Sequence, residues 1–150
     1  MRALIQRVRR GKVTTGEKVI GEIDQGYVIL LGVREGDSKK EADLLAIKTV
    51  NLRVMSDSEN KMNKSILDVG GEILVISQFT LYADVRAGRR PSFVQAAKPE
   101  IAKNLYIYFV DQLKKLGVKK VQTGEFGAYM SVSLVNDGPV TIMLDTDLLL

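Results

Sequence analysis

The sequence predicts an α+β fold, a largely antiparallel, barrel-like sheet with two main helices. Three observations lead there. The chain has 150 residues, which is one domain's worth and enough to bury a core without cross-links. Short β-rich segments, roughly seven or eight of them, alternate with Gly, Pro, Asn and Asp turn vocabulary. Two stretches alone read as helices. No linker, low-complexity tract or repeat divides the chain, so residues 1–150 are expected to form a single domain.

Val8 to Thr15 and Lys18 to Ile23 read as strands around a turn at Thr15-Gly16-Glu17. Tyr27 to Val33, bounded by turn residues, reads as a buried strand. Ser38-Lys39-Lys40-Glu41 fits a capping box, in which hydroxyl and carboxylate satisfy free amides at a helix start. That helix runs to about Val50 and puts Ala42, Leu45, Ala46 and Thr49 on one face. Leu52 to Met55 reads as a short strand, Asp57 to Asn60 as a turn, and Glu72 to Leu81 as a long strand after Gly70-Gly71. Asp84 to Pro91 is a loop carrying Arg86, Arg89 and Arg90. A second helix starts near Pro99, places Ile101, Leu105, Tyr108, Phe109, Gln112, Leu113 and Leu116 at helical spacing, and stops at Gly117. Tyr129 to Val135 and Val140 to Leu144 read as strands on either side of Asn136-Asp137-Gly138-Pro139.

Two absences exclude more chemistry than any other feature of the composition. There is no Cys and no His. Thiolate nucleophiles, disulfides, iron–sulfur clusters, histidine metal sites and the Ser-His-Asp triad are therefore excluded. Catalysis has to come from hydroxyls, amides, carboxylates, Lys, Arg, backbone dipoles or a group borrowed from the substrate. Basic residues number 22 against 18 acidic, a net +4 that is compatible with a nucleic-acid partner. The longest apolar run, Tyr27 to Val33, is far short of the ~20 residues a spanning helix needs, and no signal-peptide core follows the amino-terminal arginines. The expectation is a soluble cytoplasmic protein.

Four segments could carry chemistry. Ser77-Gln78-Phe79-Thr80-Leu81 sets hydroxyls, an amide and free backbone N–H groups at a strand end, which suits an oxyanion site. With no base beside those hydroxyls, the residues alone read first as a strand running out into its polar terminus. Asn136 to Thr141 is turn vocabulary that reads first as a hairpin connection. Its Gly138-Pro139 bond is one of the few that could be cis and present both carbonyls as a rigid acceptor pair. Basic residues cluster at Arg2, Arg7, Arg9, Arg10 and Lys12, at Arg86, Arg89 and Arg90, and at Lys114, Lys115, Lys119 and Lys120. Each cluster alone suits a solvated face, while three together favour a phosphate-backbone partner. Phe126-Gly127-Ala128-Tyr129-Met130 could shape a pocket for a flat ring or be a core strand with a glycine bulge.

Taken together, Ser77-Gln78-Phe79-Thr80-Leu81 and Ser133-Leu134-Val135-Asn136-Asp137-Gly138-Pro139-Val140-Thr141 closely resemble the D-aminoacyl-tRNA deacylases of the D-tyrosyl-tRNA deacylase type. The resemblance continues through Ile5-Gln6-Arg7-Val8, Leu31-Gly32-Val33, Lys61-Met62-Asn63, Arg90-Pro91-Ser92-Phe93 and Gln122-Thr123-Gly124, and leaves out only the tail from Thr146 to Leu150. It implies a homodimer that hydrolyses the ester between a D-amino acid, or glycine, and the terminal ribose of tRNA, without metal or other cofactor. It implies active sites at the dimer interface, where the Gly-Pro of one subunit enters the pocket of the other. Carried over by residue, Ser77, Gln78, Phe79 and Thr80 form the catalytic strand end. Gly138 and Pro139 form a cis-peptide filter against L-amino acids, and Arg7 holds that motif. Phe126 and Met130 flank the terminal adenine. Such a reaction suits a chain without imidazole, because the ester is already activated and its ribose carries a vicinal hydroxyl. One well-placed backbone donor to the oxyanion is worth about 2.7–4 kcal/mol. The alternative is a non-catalytic tRNA- or RNA-binding module using the same basic clusters, for which Gly138-Pro139 has no purpose. A dimer binding a small amino-acid derivative is a third reading, and it leaves Arg86 to Arg90 unused.

Overall fold

The computed structural model describes residues 1–149. Its elements are β1 (Arg2–Thr15), β2 (Lys18–Ile23), β3 (Gly26–Gly32), α1 (Lys39–Asn51), β4 (Met55–Ser56), β5 (Met62–Lys64), β6 (Glu72–Ser77), a 3₁₀ turn (Phe79–Tyr82), α2 (Pro99–Lys115), β7 (Val121–Thr123), β8 (Ser131–Asp145) and α3 (Thr146–Leu149). The main sheet runs β2-β1-β3-β6-β7, with β8 also paired to β1. All pairings of β1, with β2, β3 and β8, are antiparallel. The β3–β6 and β6–β7 pairs are parallel. Parallel neighbours need long crossovers. The first is supplied by α1 with the small β4–β5 hairpin, the second by α2.

The sheet curls until β2 lies against β6 and β7, so it is nearly closed. A Cβ on Gly21 would stand 2.8 Å from the Thr123 carbonyl oxygen, which shows how close the approach is. Inside the curl sit Val8, Val13, Ile23, Val28, Leu74 and Ile76. The larger core lies between the other face and the helices, around Ile5, Tyr27, Ile29, Leu45, Ile73 and Phe109. No helix among the described residues is long and apolar enough to cross a membrane.

Local signals set the helix ends. The Ser38 hydroxyl accepts from the Lys40 amide at 3.2 Å, and the Ser38 amide donates to the Glu41 carboxylate at 2.7 Å, completing the capping box. At the end of α2, Gly117 takes φ +109°. Its amide reaches Lys114 O at 3.1 Å and the Val118 amide reaches Leu113 O at 3.2 Å, which is a Schellman closure.

Several expectations are corrected. β1 begins at Arg2 rather than Val8, because Arg2 to Val8 already pair with β3. The strand expected over Leu52 to Met55 is only Met55–Ser56, and β5 and β7 are short strands beyond those the sequence predicts. α2 is rotated from the expected phase. Ala102, Leu105, Tyr106, Phe109, Val110 and Leu113 are buried while Ile101 is exposed. The rotation lets the Tyr106 hydroxyl donate to Val75 O at 2.7 Å beneath the sheet, and burial pushes that hydroxyl's pKa up to about 12. The strand expected through Leu81 stops at Ser77. Its neighbour β3 ends at Gly32, and the chain folds over into the 3₁₀ turn that buries Tyr82. Asn136 to Pro139 is not a hairpin. Both flanks pair with β1, Val8 opposite Asn136 and Gln6 opposite Thr141, so the turn residues bulge out of one continuous β8.

Candidate active site

A cavity of about 640 Å³ opens beside the end of β6. Ser77, Gln78 and Phe79 form one wall, and Phe126, Met130 and Val132 another. The third wall, Phe93 to Ala102, is a stretch the residue-by-residue reading missed apart from the motif ending in Phe93. Its signal was the run of small residues Ala96-Ala97 ahead of Pro99, which lets backbone and ligand approach closely. That wall is pinned to the sheet by the Ala97 amide on Val33 O at 3.0 Å. Phe79 and Phe93 meet edge to face at 4.9 Å and rim the opening. Tyr106 supports Phe126 from behind, with centroids 6.0 Å apart. Gly124 leaves room for Met130, since a Cβ there would stand 2.6 Å from its sulfur. Lys98 is the one charged side chain among the described residues lining the cavity. Apolar walls with few polar groups suit a flat, uncharged ring.

Thr80 stands just outside the lining, exposed, and its hydroxyl accepts a bond from the Gln78 side-chain amide. Gln78 has φ −144° and ψ 81°, which turns the chain out of the strand. Its own amide still bonds Leu31 O at 2.8 Å. Phe79 and Thr80 are the first residues of the turn, so their amides have no acceptor within it.

Gly138 and Pro139 lie elsewhere. The bond between them is cis and both residues are exposed at the crest of the β8 bulge. Arg7, only 8% exposed, secures the base of the bulge. Its Nε donates to Asp137 O at 2.9 Å and its Nη1 to Val54 O at 2.6 Å. The Asp137 carboxylate lies 3.7 Å from Arg7 and 3.5 Å from Arg9. One chain therefore brings Ser77, Gln78, Phe79, Phe126 and Met130 to the cavity and gathers Arg7, Gly138 and Pro139 at a second place that does not line it. In the basic loop, Arg86 is engaged by Asp84 through bonds of 2.9 and 2.6 Å. That pairing holds the Asp84 carboxyl well below the usual carboxylate range.

The sequence model of the family described as D-Tyr-tRNA(Tyr) deacylase matches residues 4–145. The chain belongs to that family. Membership carries the enzyme class, a deacylase and hence a hydrolase. A D-aminoacyl-tRNA deacylase of Roseiflexus sp. (strain RS-1) is 60% identical over 146 residues, covering 97% of this chain and 94% of the relative. One of Thermosipho africanus (strain TCF52B) is 54% identical and covers 97% of each. The solved structure of a c-Myc DNA unwinding element binding protein superposes with a TM-score of 0.91 at 43% identity, over 97% of this chain and 98% of that one. A probable eukaryotic D-amino acid tRNA deacylase shares the fold, with a TM-score of 0.80 at 17% identity over 95% and 97%. The matched span of this deacylase includes Arg7, Ser77 to Thr80, Phe126, Met130, Gly138 and Pro139, and ends at Asp145, the last residue before α3.

Proposed function

We propose that this deacylase hydrolyses the ester joining a D-amino acid, or glycine, to the terminal ribose of tRNA in the cytoplasm. It acts as a homodimer in which Gly138 and Pro139 of one subunit enter the cavity of the other. The observation that carries the reading is the separation of the two motifs. The bulge is tied down by Arg7 and exposed, the cavity is open, and Gly138 and Pro139 do not line the cavity of their own chain. A second copy is the simplest way for both to touch one substrate.

In this reading the terminal adenine lies between Phe126 and Met130, and the ester sits over the 3₁₀ turn. Water attacks the ester carbonyl with the neighbouring 2′-hydroxyl assisting proton transfer. The oxyanion is met by the free amides of Phe79 and Thr80, and the tetrahedral intermediate expels the ribose 3′-oxygen, which takes up a proton. Donors of that kind are worth about 2.7–4 kcal/mol each. The carbonyls of the Gly138-Pro139 turn accept from the substrate's α-ammonium group, and the turn fills the space of an L side chain. A D side chain points away and glycine has none, so selectivity is rejection by shape.

The test is deacylation of matched D- and L-tyrosyl-tRNA, with glycyl-tRNA alongside, and a sedimentation measurement of assembly. Release from the D and glycyl esters with the L ester nearly intact, by a dimer, is expected. Equal rates on D and L esters, or full selectivity in a monomer, would overturn the reading.

A further inference from the structure

We propose that Arg2 is a positioning residue for the reacting end of the site, clamping the Phe79–Tyr82 turn from strand β1. The proposal rests on the reading above that this turn meets the ester. Arg2 Nη1 donates to Leu81 O at 2.8 Å, one residue from Thr80. Arg2 Nε donates to Asp145 Oδ2 at 2.7 Å. The guanidinium carbon stands 4.6 Å from the centre of the Tyr82 ring. Asp145 lies opposite Arg2 in the β1–β8 register, and its other oxygen accepts from the Asp147 amide at 3.1 Å. One end of the guanidinium is thus anchored in the sheet while the other grips the turn.

The turn needs such a grip. It spans four residues, and a 3₁₀ segment that short has little stability of its own. From below it is pressed against Gly32, where a Cβ would stand 3.1 Å from Leu81 Cβ, 3.2 Å from Gln78 O and 3.3 Å from Tyr82 Cδ2. Gly32 limits movement toward the sheet, and Arg2 limits movement away from it. A displacement of about 1 Å at reacting groups can cost 100-fold in rate, so a clamp one residue from Thr80 acts on turnover. Lysine cannot replace it, because a single ammonium lacks the planar fork that reaches a carboxylate and a carbonyl together.

The experiment compares Arg2→Lys and Arg2→Ala with the wild type on D-tyrosyl-tRNA, reading kcat and KM separately, with hydrogen exchange at the Leu81 and Ala83 amides. Arg2→Lys should stay folded and lose about 5–10-fold in kcat with KM within about twofold, since the cavity is untouched. Arg2→Ala should lose more and regain part of its kcat when guanidinium is added at millimolar concentration. Exchange at both amides should quicken in both variants. Wild-type kcat in both variants, or unchanged exchange at Leu81 and Ala83, overturns the proposal. A wild type that does not favour D esters removes the proposed function instead, and exchange still decides whether Arg2 holds the turn.

Discussion

Replacing Arg7 by Met tests whether the β8 bulge is a built feature. The guanidinium makes two short bonds to carbonyls, at 2.9 Å to Asp137 O and 2.6 Å to Val54 O, from a position 8% exposed. Hydrogen bonds involving a charged group contribute about 1.5–3 kcal/mol each, so the gross loss is about 3–6 kcal/mol. Water can reach Asp137 at the half-exposed bulge, and Met fills much of the vacated volume, which brings the expected loss to about 2–4 kcal/mol. For a chain of this length that corresponds to a fall in Tm of about 5–15 °C. Arg7→Lys keeps a donor for one carbonyl and should lose about half as much. The assay is urea unfolding of the purified variants, followed by deacylation of D- and L-tyrosyl-tRNA on the folded fraction. If the bulge rejects L esters, the D-over-L ratio should drop at least about tenfold once its seat is loosened, the equivalent of roughly 1.4 kcal/mol. A loss under 1 kcal/mol together with an unchanged ratio would refute the assignment of Arg7 as the residue that holds the motif.

Three further outcomes are expected. Without a histidine to activate it, the Thr80 hydroxyl is a poor nucleophile, so Thr80→Ala should keep part of the rate while a tRNA ending in 2′-deoxyadenosine loses most of it; a trapped acyl-threonine would contradict this. Ser38→Ala should cost about 1 kcal/mol near neutral pH. The Ser38 hydroxyl and amide hold the Glu41 carboxyl below its ordinary value, so their stabilisation is complete above the unfolded pKa and is lost as pH falls through the folded one. The cost of Ser38→Ala should therefore shrink in urea unfolding below about pH 4, and an equal cost at pH 3 and pH 7 would count against the capping box. Because Arg86 is tied to Asp84 while Arg89 and Arg90 are exposed, reversing Arg89 and Arg90 should weaken binding of all tRNAs more than reversing Arg86 does. Affinity should fall steeply with salt, and a flat salt profile would leave this loop as solvated surface.

Some of this protein was decided by residues acting over a few positions. The capping box at Ser38, the Gly117 stop, the buried run in β3 and the turn before it are local events, and they stand as the sequence predicts. The missing His and Cys settle which chemistries are closed, and the paired motifs at Ser77 and Gly138 point to the family from the sequence alone. Tertiary structure decided the rest. Asn136 to Pro139 has the residues of a hairpin, yet β1 is 14 residues long and pairs with both flanks, so a bulge replaces a reversal. Phe79 to Leu81 has the alternation of a strand, yet β3 ends beside it and the next residue, Tyr82, gains burial by turning inward. α2 packs on the sheet with Ala102, Tyr106 and Val110 inward, and Val75 O supplies the partner that the buried Tyr106 hydroxyl needs. Arg2 and Arg7 look alike in a basic strand, and only the partners that distant segments bring to them separate a clamp on one motif from a seat for the other. Short-range signals fix dihedrals and element ends. Which edge is paired, which face is buried and which carbonyl a guanidinium meets depend on contacts between residues from about thirty to more than a hundred positions apart, and those exist only once the sheet has closed.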